Sequence, residues 1–165
     1  VTPPSFAAEV RAEDRTAFLA SLFAPEAAQP ALLALAAYRI ELRRIVERAR
    51  DPLAAEIRLQ WWRDALTGTG EAGGVPLAGA LVAAMVAFRW PPETLAAMSE
   101  AHIHDLYADP FEDFDAFDGY AGEVFGAPLQ LGAMAFGLAA SADEGLAAAR
   151  TAATAAGHGG VALAA

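Results

Sequence analysis

Gln29-Pro30-Ala31-Leu32-Leu33-Ala34-Leu35-Ala36-Ala37-Tyr38-Arg39-Ile40-Glu41-Leu42-Arg43-Arg44-Ile45-Val46-Glu47-Arg48-Ala49 reads as one amphipathic helix. Pro30 suits a first helical position, where its missing N–H is one that the opening turn leaves unbonded anyway. Leu35, Tyr38, Leu42, Ile45 and Ala49 then recur at three- and four-residue spacing, which puts one buried stripe on a single face. Arg43, Arg44 and Glu47 fall roughly opposite that stripe and read first as a solvated face with weak ion pairs.

The flanking sequence repeats this logic. Asp14 to Ala24 predicts a short helix ended by Pro25. Asp51 is placed to cap a helix that has Pro52 at its first position and runs to about Leu66, where the glycine-rich loop Thr67 to Gly74 stops it. Further helices are expected from Pro76 to Arg89, from Pro92 to Ala108, from Pro110 to about Gly137, and from Ser141 onward. Asp109 with Glu112, and Ser141 with Glu144, have capping-box spacing. No period-two alternation and no internal repeat occurs, so the expectation is an all-α bundle of about seven helices. Val75 to Phe88, the longest uncharged apolar stretch, is shorter than the roughly 18 to 20 residues a bilayer span needs and reads as a core helix. The whole of 1–165 is expected to be one helical domain. Because Ala165 lies in an apolar stretch with no capping signal, that domain is expected to be the N-terminal portion of a larger one, incomplete at its C-terminus.

Composition narrows the chemistry. Apolar residues are 56% of the chain, much of that alanine, which signals helix more than greasiness. There is no cysteine, so disulfides, thiol nucleophiles and thiolate-bound zinc drop out. A net charge of −10, with 11 basic residues that are all arginine, argues against a nucleic-acid partner. The first residues have neither a basic nor an apolar signal region, so a cytoplasmic location is the default expectation. Peripheral membrane association through an exposed apolar face is a further reading, which the acidic charge would oppose on anionic lipid. No nucleotide-binding fingerprint or nucleophile elbow is present.

Three segments carry a family resemblance. Phe18 to Pro25 leading into Ala31 to Tyr38 resembles the helix preceding the first motif of the squalene/phytoene synthases. Glu56-Ile57-Arg58-Leu59-Gln60-Trp61-Trp62-Arg63-Asp64-Ala65-Leu66 is similar to the tryptophan-arginine helix of that family, above all of its divergent branch that includes a mitochondrial complex I assembly factor. Asp105-Leu106 followed by Tyr120-Ala121-Gly122-Glu123-Val124-Phe125-Gly126 resembles the family's aspartate-leucine segment and tyrosine helix. Together these cover most of Asp14 to Leu138.

The resemblance implies an isoprenoid-synthase-type bundle that condenses two prenyl diphosphates with Mg²⁺ held by two aspartate-rich motifs. Laid on that pattern, the first motif falls on Arg43-Arg44-Ile45-Val46-Glu47, and arginine cannot ligate Mg²⁺. The second would lie beyond Gly157-His158-Gly159-Gly160. By resemblance Tyr120 matches a tyrosine near the reacting carbons and Asp105 an acidic residue of the same helix pair, while Arg43, Arg44 and Glu47 mark a degenerate motif that could meet a diphosphate or lipid phosphate directly. The resulting expectation is a non-catalytic isoprenoid- or lipid-binding or assembly-factor-like protein, with a protein partner as a further reading and no cofactor. The alternative is an active Mg²⁺-dependent prenyltransferase whose ligands include Asp51, Glu56 or Asp105.

Other features have plainer readings. Asp105 and Asp109 have metal-like spacing, but Pro110 pushes Asp109 out of helical geometry and toward a capping role. His102 and His104 lack the spacing of a zinc helix and read as packed or surface residues. Trp61 and Trp62 are expected to be buried indoles, with Arg58 and Arg63 seeking carboxylates or stacking on the rings. Phe111, Phe114, Phe117 and Tyr120 form a packing stripe or the lining of an apolar channel.

Overall fold

The computed structural model describes residues 6–70, 73–107 and 109–140, with side chains as far as residue 137. Every regular element among the described residues is helical. The expected helices beyond Ser141, and His158, lie outside them.

The chain opens with α1 (Ala7–Glu13), a helix that the sequence reading did not place. Asp14 ends it and caps α2 (Arg15–Leu22) by accepting from Ala17 N at 2.9 Å. The stripe helix is α3 (Gln29–Glu47), and Leu35, Tyr38, Leu42 and Ile45 are buried as their spacing requires. Asp51 accepts from Leu53 N at 3.1 Å to start α4 (Pro52–Thr67), which ends on Gly68 in the left-handed conformation. Then come α5 (Pro76–Phe88) and α6 (Pro92–Ala101).

Two expected long helices are broken. The helix from Pro92 stops at Ala101, and a single turn, α7 (His104–Tyr107), follows. His102 Nδ1 sits 2.8 Å from Met98 O, the carbonyl that a continuing helix would use, and Ile103 N bonds to Glu100 O at 3.0 Å, tightening the chain into a turn. The helix expected from Pro110 instead begins as α8 (Phe114–Ala121). Its cap is Asp113, which accepts from Ala116 N at 2.8 Å, and not Asp109. Residues 109–113 stay non-helical, which lets Phe111 turn back onto His104 at a ring separation of 4.1 Å. A π-helical turn, Gly122–Gly126, then leads into α9 (Ala127–Ala140).

Two buried aromatic residues tie these helices together. Tyr38 is fully buried and donates to Leu95 O at 2.9 Å, linking α3 to α6, while its ring lies 5.1 Å from that of Trp62 on α4. Burial pushes the Tyr38 phenol well above its ordinary value of 10.0. Trp90, between α5 and α6, donates from Nε1 to Leu131 O at 2.9 Å and so anchors α9. Each polar tip has a partner, so the apolar area that these rings bury is gained without an orphaned donor. Only one of the two adjacent indoles is buried, however. Trp62 is in the core, and Trp61 is half-buried with its ring edge-on to it at 5.0 Å. Arg58 reaches Glu41 at 3.3 Å and Arg63 its neighbour Asp64 at 3.4 Å.

Candidate functional site: an acidic aromatic cleft

An open cleft of about 600 Å³ lies between α6–α7 on one side and the 109–113 segment with α8 on the other. One wall is formed by Ala97, Glu100, Ala101 and His104, the other by Ala116, Gly119, Tyr120 and Glu123. Ala97, Glu100 and Ala101 share one face of α6, with His104 following on α7, and Ala116, Gly119 and Tyr120 share one face of α8, with Glu123 following on the π-helical turn. The small residues at the middle positions open the space. Asp109, Phe111 and Glu112 close one end.

Rings pack against each other along this cleft. Phe111 stacks on His104 at 4.1 Å and lies 5.2 Å from Tyr120, while His104 and Tyr120 are 5.7 Å apart. Tyr120 donates its hydroxyl to Asp105 Oδ1 at 2.7 Å, which fixes the ring and joins α8 to α7. Burial, with the bonded Asp105 carboxylate adding to it, holds the Tyr120 phenol above its ordinary 10.0. Burial also raises the Glu123 carboxyl above its ordinary 4.5.

The sequence-predicted site residues separate into two groups. Tyr120 lines the cleft and Asp105 is bonded to it, so the pair named from the family resemblance is in contact. Arg43, Arg44 and Glu47 are not among the lining residues. Arg44 bonds to Glu9 through Nη1 and to Glu13 through Nη2, the latter at 3.1 Å, so it pins α1 to α3. Arg43 reaches Glu13 at 3.7 Å and Glu47 at 3.3 Å. The two carboxylates beside Arg44 raise its pKa further above the ordinary arginine value.

Of the aromatic stripe, Phe111, Phe117 and Tyr120 cluster, whereas Phe114 is 69% exposed. His102 is buried, and His104 belongs to the cleft. The sequence reading did not single out Glu100 or take Glu123 as a site residue. Only the packing of α6–α7 against α8 and the π-helical turn brings them to the cleft.

The fit to Mg²⁺ is a matter of donor chemistry. Arg43, Arg44 and Glu47, which the family resemblance aligns with the first metal motif, supply two guanidiniums and one carboxylate, and both arginines are engaged with glutamates. That set does not suit a divalent cation. Among the described residues no group of three histidine, aspartate or glutamate side chains is arranged to hold a metal. No described helix is long and apolar enough to cross a membrane.

No curated protein and no solved structure gives a significant match to this chain. The family model for squalene/phytoene synthase matches residues 10–165, and this chain, with its all-α isoprenoid-synthase-like fold, belongs to the squalene/phytoene synthase family.

Proposed function

We propose that this protein is a non-catalytic member of the family, which keeps the helical cavity for an isoprenoid or other lipid chain and acts by binding, in the manner of the family's divergent assembly-factor branch. The observation that carries this reading is the engagement of Arg44 with Glu9 and Glu13 at the position of the first aspartate motif. A metal-dependent ionisation of a diphosphate needs carboxylates there. This chain uses the position to hold α1 against α3. Tyr120 and Asp105 then have a positioning role, with the tyrosine ring forming part of the cleft wall and the aspartate fixing its orientation.

The test is turnover. Full-length protein incubated with farnesyl or geranylgeranyl diphosphate and Mg²⁺ is expected to release no diphosphate above background. Release that chelation of Mg²⁺ abolishes would overturn the proposal in favour of a Mg²⁺-dependent prenyltransferase. That second reading draws on the Tyr120–Asp105 bond beside an acidic cleft and requires metal ligands from outside the described residues.

A further inference from the structure

We propose that the cleft between α6–α7 and α8 binds a small organic cation, a quaternary ammonium group, in contact with the rings of Phe111, Tyr120 and His104. The cavity, its rings and its charge each point the same way. Its volume of about 600 Å³ leaves room for a headgroup with an attached chain. The three rings lie within 4.1 to 5.7 Å of one another and all line the cleft; His104 and Phe111 cover each other's facing sides by stacking, and the sides left uncovered attract a cation through the ring quadrupole. Tyr120 donates a hydrogen bond from its hydroxyl to Asp105, which holds the ring in place.

The charge lining is of one sign. Glu100, Asp109, Glu112 and Glu123 all face the cleft, and no arginine is among the described lining residues. Such a lining focuses a negative potential in a partly enclosed space and repels an anion. Glu123 is half-buried, and its carboxyl is raised by burial, so a cation beside it would recover part of the solvation it has lost. A quaternary ammonium suits this site better than a metal ion, because it asks for no ordered set of ligand oxygens and gives up little hydration on entering. Selectivity for a cationic headgroup goes beyond the family reading and holds whether or not the protein turns over a prenyl diphosphate.

The experiment compares choline with 3,3-dimethylbutan-1-ol, its uncharged isostere, by titration calorimetry on the full chain. Choline is expected to bind about tenfold more tightly than the alcohol, the ratio that about 1.4 kcal/mol of charge recognition gives. Phe111→Leu is expected to weaken choline about threefold or more. Glu112→Gln, at an exposed position that leaves the core untouched, is expected to weaken it less and in the same direction. Equal affinity for the two compounds, or no saturable choline binding up to about 10 mM, overturns the proposal. So does metal-free binding of inorganic diphosphate in competition with choline. Failure here leaves the turnover test untouched, so the two readings fail separately.

Discussion

Arg44 gives the sharpest test of what the arginines at positions 43 and 44 do. Its side chain is 22% exposed, while Glu9 and Glu13 are 38% and 40% exposed, so solvent screens both ion pairs and each contributes about 0.5 kcal/mol. Arg44 Nε is buried with no hydrogen-bond partner among the described residues, which offsets part of that gain. Arg44→Gln should therefore cost about 0.5 to 1 kcal/mol, or about 1 to 4 °C in Tm for a chain of this size. In a cycle with Glu9→Gln and Glu13→Gln the combined variant should lose less than the sum, with a coupling of about 1 kcal/mol. That coupling should shrink in 1 M salt, where the screening length falls to about 3 Å. Arg43→Asp with Arg44→Asp, which places aspartates where the resemblance aligns the first metal motif, turns the attraction into repulsion, because the new carboxylates face Glu9 and Glu13. The loss should then rise to about 2 kcal/mol, with no Mg²⁺-dependent gain in Tm. Thermal denaturation followed by far-UV dichroism reads all of these. Additive single and combined variants, or a double aspartate variant that Mg²⁺ stabilises, would refute the account of α1 as a helix held by these arginines.

Other outcomes follow from the core and the cleft. Tyr38→Phe removes a buried hydroxyl whose acceptor, Leu95 O, keeps a helical donor in Ser99 N–H, so urea titration should show a loss of about 1 kcal/mol. Because the folded phenol titrates above its ordinary 10.0, wild-type stability is full below that value and falls as pH rises past it. Tyr38→Phe should weaken this alkaline loss, as melts across that range would show. The same sign applies to Glu123. Its raised carboxyl favours the folded state below the ordinary 4.5, and that advantage is lost as pH rises through the folded value, so Glu123→Gln should raise Tm at pH 7 and leave it unchanged at pH 4. Gly68→Ala meets no neighbouring atom but must adopt a φ of 77°, so it should cost about 1 kcal/mol in the same denaturation assay.

The helices that could be read from sequence are those whose ends carry local chemistry. Asp51-Pro52 and Gly68 fix both ends of α4 within a residue or so, and the Leu35-Tyr38-Leu42-Ile45 stripe fixes the buried face of α3. What escaped was set by side-chain contacts that helical periodicity does not encode. Asp109 and Asp113 are both able to cap a helix, and the choice between them depends on Phe111 reaching back to His104, which no local pattern encodes. The break after Ala101 depends on the His102 ring finding Met98 O. The cleft was half legible. Tyr120 and Asp105 came from the family resemblance, whereas Glu100 and Glu123 become site residues only once two helical faces are set opposite each other.

Charge separates the arginines of α3 from the cleft. With a net charge of −10, the chain has few cations to spare. Arg39, Arg43 and Arg44 of α3 are paired with Asp14, Glu13 and Glu9, all at or near α1. An aspartate motif on α3 would leave those acidic residues facing carboxylates, so α1 could not pack as it does without a metal to neutralise them. Arginine at positions 43 and 44 resolves the repulsion within the protein itself. The cleft, by contrast, carries carboxylates and rings and no arginine among its described lining residues, a surface complementary to a cation and not to the diphosphate that the family's enzymes ionise. A phosphate-bearing ligand would have to keep its headgroup outside that cleft or bring its own counter-ion. A headgroup that carries positive charge needs neither.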